Sequence, residues 1–513
     1  LISHASRITH HAADAEEILP NTQYATRNTQ YATRIAIIGG GIAGLATAYY
    51  LQEGARRAGL SLSYSLIESA PGFGGKIVTY ADDGFVIEGG PDSFITQKPA
   101  ALRLCRELGL ENRLLGTNDA RRKVYVLDGG RLRSLPDGVM LVVPTRFTPF
   151  ALSPLISAPG KVRMGLDLFI PPRREDSDES LADFIRRRLG QEALDKIAEP
   201  LMAGIHVADP ERLSLQATFP RFIRLEQKYG SLIKGMLAQK ARRAGGSRNG
   251  AGGDKLSLFM TLQGGLRELV ETLVARLEGE LLLGTGVADL ARAQDGYRLR
   301  LTDGRSLDAD AVVLATPAYA AADLVEPMHA RLAAGLRAIR YVSTATVSLG
   351  FRRTEFEHPL DGFGFVVSAR SKSRLMACTW TSTKFDRRAP GEHVLLRAFV
   401  GGHRNEDLVD LPDEALLALV REELREVMGI TAQPVLTRLY RWPGANPQYD
   451  VGHLGRVDQL EAMAADLPGL YLTGSAYRGV GLPDCIQQGQ ATAEAVLNAI
   501  AEDAVSQPVE ARS

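Results

Sequence analysis

The stretch RIAIIGGGIAGLATAYYL, Arg34 to Leu51, decides how the rest of the chain is read. Ile35 to Ile38 is a short apolar run with the pattern of a buried strand. Gly39, Gly40 and Gly41 follow at once, then Ile42, Ala43 and Gly44, and Leu45, Ala48, Tyr49 and Leu51 continue at helical spacing. Strand, turn and helix thus enclose G-x-G-x-x-G in the order that a dinucleotide site requires. Gly39 permits the tight turn, Gly41 lets a diphosphate approach the backbone, and Gly44 lets the helix lie close to the strand. Free amides and the dipole at the helix start favour the diphosphate charge.

Outward from this unit, LSLSYSLIE (Leu60–Glu68) alternates apolar and polar residues and ends on Glu68, about 24 residues past Gly44. A carboxylate there is placed to accept from ribose hydroxyls. A lone glycine turn also fits a structural loop; both strands and the terminal Glu together point to a nucleotide. The first motif leaves NAD and FAD open. ESAPGFGGKIVTY then brings Glu68 and Ser69 close to Gly74, Gly75 and Lys76, and GFVIEGGPDSF adds Gly89, Gly90, Pro91 and Asp92. A second glycine pair can run along an extended cofactor, which a nicotinamide unit does not ordinarily need.

The far end of the chain repeats the pattern. YLTGSAYRGVGLPDCIQQGQATAEAVLNAI (Tyr471–Ile500) reads as strand, glycine-rich turn and helix. Both ends carry the same strand-turn-helix device.

Bulk properties narrow the class. The chain has 513 residues, 45% hydrophobic and 23% charged, enough for two or three domains. Sixty basic and sixty acidic residues balance, so no global field points to nucleic acid. Cys105, Cys378 and Cys485 are far apart and the nine histidines scattered, so we expect neither a disulfide scaffold nor a metal site. No apolar run is long enough to span a bilayer. MLVVPTRFTPFALSPLI (Met140–Ile156) is apolar but broken by prolines, and reads as a pocket lining or buried loop before a membrane-contacting patch. NTQYATR occurs twice, at Asn21–Arg27 and Asn28–Arg34, without the apolar core of a signal peptide. A duplication or an over-extended translation start explains it more simply than a recognition tag. The basic, glycine-rich run Gln239–Lys255 reads as a mobile loop, and Arg186, Arg187 and Arg188 as a solvated helix face.

The middle of the chain carries the most specific blocks. They are DESLADFIRRRLGQEALDKIAEPLMAGIHVADPERLSLQATFPRF (Asp178–Phe222), EGGPDSF, RWPGANPQYDVGH (Arg441–His453) and GSAYRGVGLPDCIQQG (Gly474–Gly489). As a set, from about Arg34 to Ala499, they resemble the protoporphyrinogen/coproporphyrinogen III oxidases of haem synthesis, within the flavin-containing amine oxidase superfamily. PDSFITQK and the segment from Leu135 to Pro172 are closest to the soluble bacterial coproporphyrinogen III branch.

The resemblance implies an α/β fold: a Rossmann-like FAD-binding domain, a mixed-sheet substrate-binding domain and a helical insertion. The FAD-binding domain would comprise residues 34–95, 259–320 and 439–503. Residues 96–258 would form the helical and substrate-binding region and 321–438 the substrate-binding domain, with tails at 1–33 and 504–513. FAD would be held without a covalent link by Gly39–Gly44, Glu68, Ser69, Gly74, Gly75, Lys76, Gly89, Gly90, Pro91 and Asp92. Further contacts are implied at Val287 beside the adenine and at Trp442, Gly474, Val480, Gly481 and Leu482 beside the ring. Lys98, Asp92, Arg122 and Lys123 are the substrate-contact candidates, each with a rival role as a surface charge or loop cap; no general base is assigned. Cys485 reads as a buried structural thiol. The expected partners are a porphyrinogen, O2 and adjacent haem-pathway enzymes, with no nucleic acid and at most peripheral membrane contact in a cytoplasmic setting.

Overall fold

The computed structural model describes residues 32–136, 139–140, 142–144, 147–246 and 256–506. Most of the tandem heptapeptide and residues 247–255 lie outside them. β1 (Thr33–Ile38) leads into helix α1 (Ile42–Ala58), and β2 is Leu62–Glu68. β3 (Glu280–Leu283), β4 (Ala311–Leu314) and β5 (Leu470–Leu472) arrive from three later stretches. These five form one parallel sheet in the order β3-β2-β1-β4-β5. Strands of a parallel sheet are buried on both faces, which is why β1 is an unbroken apolar run. Ile35 and Ile37 face a core shared with α1, while Ala36 and Ile38 face the helices Ala318–Val325 and Ala330–Arg337. β1 begins inside the expected N-terminal tail, because Thr33 pairs with Leu62.

Helix α2 (Leu482–Ser506) lies against α1 and extends into the tail expected at 504–513. Its Gly489 allows the approach: a Cβ there would sit 2.6 Å from the Ala43 carbonyl oxygen and 3.0 Å from Ala46 Cβ. First and last glycine units are thus packed together.

A seven-stranded mixed sheet forms the second body, built from Val124–Asp128, Arg131–Ser134, Tyr341–Arg352, Gly364–Val367, Leu375–Trp380, His393–Gly401 and Leu436–Pro447. Alternation gives it two unlike faces. Ala345, Val347, Leu349, Leu396, Ala398 and Val400 pack with Leu416, Val420 and Leu424 of the helix Asp413–Met428. The other face carries Thr346, Arg397 and Trp442, all of which donate to the Gly89 carbonyl.

The helical region corrects two expectations. Residues Gln239–Gly246 continue the helix that starts at Leu232 and are not a loop. Arg188 is not solvated but wholly buried: it donates to Asp167 at 2.6 Å and to the carbonyls of Ile170 and Gly230. It lies one helical repeat on from Leu181 and Phe184, on the buried face. Arg187 bridges Glu179 and Glu226, and Arg186 pairs with Glu211 nearer solvent. In Met140–Ile156, Phe150, Leu155 and Ile156 join the helical core whereas Leu152 is 81% exposed; Leu141, Thr145 and Arg146 lie outside the described residues. Among the described residues no helix is long and apolar enough to cross a membrane.

Candidate active site

The carboxyl ends of β2, β1, β4 and β5 form one edge, and hydrogen bonds lace it together. Gly39 N donates to Ile67 O at 2.8 Å, Ala315 N to Ile38 O at 2.8 Å, and Thr473 N to Leu314 O at 3.0 Å. Gly39 has φ +109, and a Cβ on it would lie 2.8 Å from the Ala315 carbonyl oxygen; one on Gly44 would lie 1.9 Å from the Gly39 carbonyl oxygen. At Gly41, by contrast, nothing stands within 4 Å of a Cβ position. The turn is therefore closed on two sides and open on the third. α1 starts there with no side-chain cap, so its first amides point free at that opening.

Glu68 sits at the rim. Its carboxylate accepts from Gly40 N at 2.7 Å and Ala70 N at 2.8 Å, which fixes its position and leaves lone pairs for hydroxyl donors. Ser69 is beside it and bonds weakly at 3.4 Å. Val287 follows Thr285 and Gly286, which touch Glu68 and Ser69: Thr285 N donates to Glu68 O at 3.0 Å, and a Gly286 Cβ would lie 3.5 Å from Ser69 Cβ. Gly74 N bonds Gly40 O at 2.8 Å, and Gly75, at φ +58, lies against Gly41.

The track continues toward the second body. Lys76 reaches the Ala445 carbonyl at 2.6 Å, and Gly90 presses on the Lys76 carbonyl. Trp442 Nε1 donates to Gly89 O at 2.9 Å. Gly474 closes the path: a Cβ on it would be 3.9 Å from Ala43 Cβ and 4.0 Å from Ala315 O. The hydroxyl of Tyr449 accepts from Gly479 N and donates to Ser475 O, both at 2.8 Å, and so ties the last turn at both ends. Val480, at the tip of that turn, packs against the helical core, and Gly481 N donates to Asp484 at 3.3 Å. Two buried hydroxyls on this edge, those of Thr316 and Thr473, have no partner among the described residues. Buried polar groups are rarely left so. An open glycine turn at an uncapped helix start, a rim carboxylate and two waiting hydroxyls fit a dinucleotide.

The four substrate-contact candidates divide. Lys98 is brought against the last turn, both Asp484 oxygens at 2.7 Å. Asp92 lies under the second sheet, bound to Lys384 at 2.8 Å and Ser93 at 2.6 Å. Burial alone would raise its carboxyl, but Lys384 and Arg397 outweigh it and hold the pKa at about 2. Arg122 and Lys123 are exposed where the strand Val124–Asp128 begins, with Lys123 paired to Asp361 at 2.7 Å. Cys485 is buried, and burial pushes its thiol up to about 12, which makes it a poor nucleophile.

Sequence reasoning missed Lys384, Arg397, Asp484 and Tyr449. One local signal was available for Arg397, a charge inside the apolar strand VLLRAFVGG. Tyr449 and Asp484 lie in blocks already singled out, but nothing local shows what they touch.

Residues 42–497 match the flavin containing amine oxidoreductase family. The chain belongs to that family. It is a flavin-containing family, so a flavin is the cofactor. The chain is 41% identical over 459 residues to the coproporphyrinogen III oxidase of Bacillus subtilis (strain 168), covering 89% of this chain and 96% of that one. It is 38% identical over 493 residues to the coproporphyrinogen III oxidase of Propionibacterium freudenreichii subsp. freudenreichii, covering 91% of each. A crystal structure from Exiguobacterium sp. 255-15, assigned as a protoporphyrinogen oxidase, superposes with a TM-score of 0.81 at 35% identity, over 91% of this chain and 99% of that one.

Proposed function

We propose that the protein is an FAD-dependent porphyrinogen oxidase that converts coproporphyrinogen III to coproporphyrin III in haem biosynthesis. Six electrons and six protons leave the tetrapyrrole; three O2 take them up and leave as three hydrogen peroxide. The observation that carries this reading is the near full-length likeness to coproporphyrinogen III oxidases, on a chain whose first and last glycine units pack together.

The residues divide the work. Gly39–Gly44 and the start of α1 take the diphosphate, Glu68 and Ser69 the ribose, and the backbone at Val287 the adenine. Gly74, Gly75, Lys76, Gly89, Gly90, Pro91, Asp92 and Trp442 line the track to the ring, and Gly474, Val480, Gly481 and Leu482 flank the ring itself. When bound, the flavin supplies hydride acceptance from a methylene bridge. The positive end of α2 favours the charge that reduction brings to its neighbourhood. Asp92 stays ionised throughout the neutral range, so it can orient pyrrole N–H groups but not give up a proton. Lys98 attracts a substrate carboxylate, with Arg122 and Lys123 as more distant candidates. No side chain is assigned as general base, because pyrrole N–H exchange can carry protons around the ring. Partners beyond substrate and O2 would be neighbouring haem-pathway enzymes, in the cytoplasm, with membrane contact at most peripheral.

The test is turnover of coproporphyrinogen III and protoporphyrinogen IX side by side, with porphyrin fluorescence, O2 uptake and peroxide recorded. Faster turnover of coproporphyrinogen III with three peroxides per porphyrin is expected. A reversed preference would favour a protoporphyrinogen oxidase, the assignment of the Exiguobacterium structure. Consumption of an amine with no porphyrin formed would overturn both.

A further inference from the structure

A short strap, residues 448–452, joins the strand Leu436–Pro447 to the helix His453–Ala465. On one side it is tied to the helical region. Ser214 N donates to Tyr449 O at 2.7 Å, Val451 N to Arg212 O at 2.8 Å, and Gly452 N to Asp178 at 2.8 Å. Asp450 receives Arg212 at 2.8 Å and Arg340 at 2.9 Å. Two aromatic side chains, Tyr449 and His453, reach the other way, to the last glycine turn.

Gly474 and Gly479, at φ +118 and +139, bracket four residues of that turn and leave its course soft. The Tyr449 hydroxyl donates to Ser475 O and accepts from Gly479 N, both at 2.8 Å, and His453 Nε2 lies 2.7 Å from Tyr477 O. A carbonyl oxygen only accepts, so that nitrogen carries a proton; burial holds the imidazole down at about 4 and keeps it uncharged at neutral pH. Arg478, between them, turns outward to Glu461 at 2.8 Å. The Tyr449 and His453 rings are both buried and stack with centroids 3.8 Å apart and planes 12° from parallel. Each ring therefore limits the rotation of the other. Just past the turn, α2 begins at Leu482. The course of the turn sets where the positive end of α2 points.

We propose that Tyr449 and His453 are positioning residues, a stacked pair that fixes the last glycine turn and so aims the start of α2 at the flavin, an inference that rests on the porphyrinogen oxidase reading above. The diphosphate and ribose contacts assigned to Gly39–Gly44 and Glu68 do not depend on the pair. What it governs is the surroundings of the redox ring.

The test is the midpoint potential and visible spectrum of the flavin-loaded protein, measured well below its melting temperature, with turnover of coproporphyrinogen III alongside. Tyr449→Phe keeps the stack but strands Gly479 N and Ser475 O. Its flavin potential is expected to fall, because the reduced form loses the positive helix end, and its absorbance band to shift. Turnover drops about tenfold in kcat while KM holds, the mark of a misplaced reacting group. His453→Phe keeps the stack and loses the N–H; it is expected to behave alike, and carries the test should the tyrosine variant fail to fold. His453→Gln, which restores an N–H at similar reach, recovers most of the potential. Phe variants that melt earlier yet keep the wild-type potential and spectrum would overturn the proposal, as would a Gln variant no better than Phe. Either result leaves the porphyrinogen oxidase reading standing. Wild-type protein that binds no flavin, or oxidises neither porphyrinogen, would overturn that reading and the proposal with it.

Discussion

Two carboxylates four residues apart are driven in opposite directions by what surrounds them. Glu88 is buried with the Thr79 hydroxyl and the Leu266 amide each donating at 2.7 Å, and burial pushes its carboxyl up to about 7. Asp92, partly buried and beside Lys384 and Arg397, is held at about 2. The signs follow. Asp92 contributes stability that is present above the ordinary carboxylate range and is lost as pH falls toward 2. Glu88 binds its proton more tightly when folded, so its contribution is complete at acid pH and is lost as pH rises from about 4.5 to about 7, on the order of 2–3 kcal/mol. Urea midpoints of Glu88→Gln are therefore expected to fall less between pH 5 and pH 7 than those of wild type. Asp92 was legible as a polar residue in GPDSF. Its partners were not, because Lys384, at the end of a short helix, and Arg397, on a strand, lie some 300 residues away and no local pattern links them.

At the level of elements, the glycine turns were legible because each role of a glycine is local: a φ, an open side, a close neighbour. Arg188 was misread for the converse reason. Three consecutive arginines look like one solvated face, but a helix turns through about 100° per residue, so three neighbours point three ways. Counting from Leu181 and Phe184 puts Arg188 inside, where Asp167 and Glu226 receive it. The packing of α2 on α1 was legible only as a shared purpose, since nothing in either helix names the other. Gly489 makes that contact checkable. Gly489→Val would drive a side chain into the Ala43 carbonyl, moving α2 and the turn it carries. A loss of about 1–3 kcal/mol in stability is expected, with flavin released on gel filtration. A variant that keeps both its midpoint and its yellow colour would refute the contact's importance.

For the whole molecule, the proposed flavin site is a joint between distant parts of one chain. β1, β2, β4 and β5 each give an edge residue to it, and the second sheet backs it through Gly89. A ligand held by so many segments binds only the assembled fold. Removing the flavin should therefore lower the melting temperature, and adding it back should restore stability with concentration, by about 4 kcal/mol at a thousandfold excess over Kd. A melting curve indifferent to flavin would contradict the joint. The order in which the strands arrive also has a bearing on synthesis. β5 is the last strand of its sheet, yet it sits beside β4 and its turn faces α1. Synthesis therefore finishes β1 long before β5 emerges, and the nascent chain carries an open nucleotide cradle until that final wall arrives.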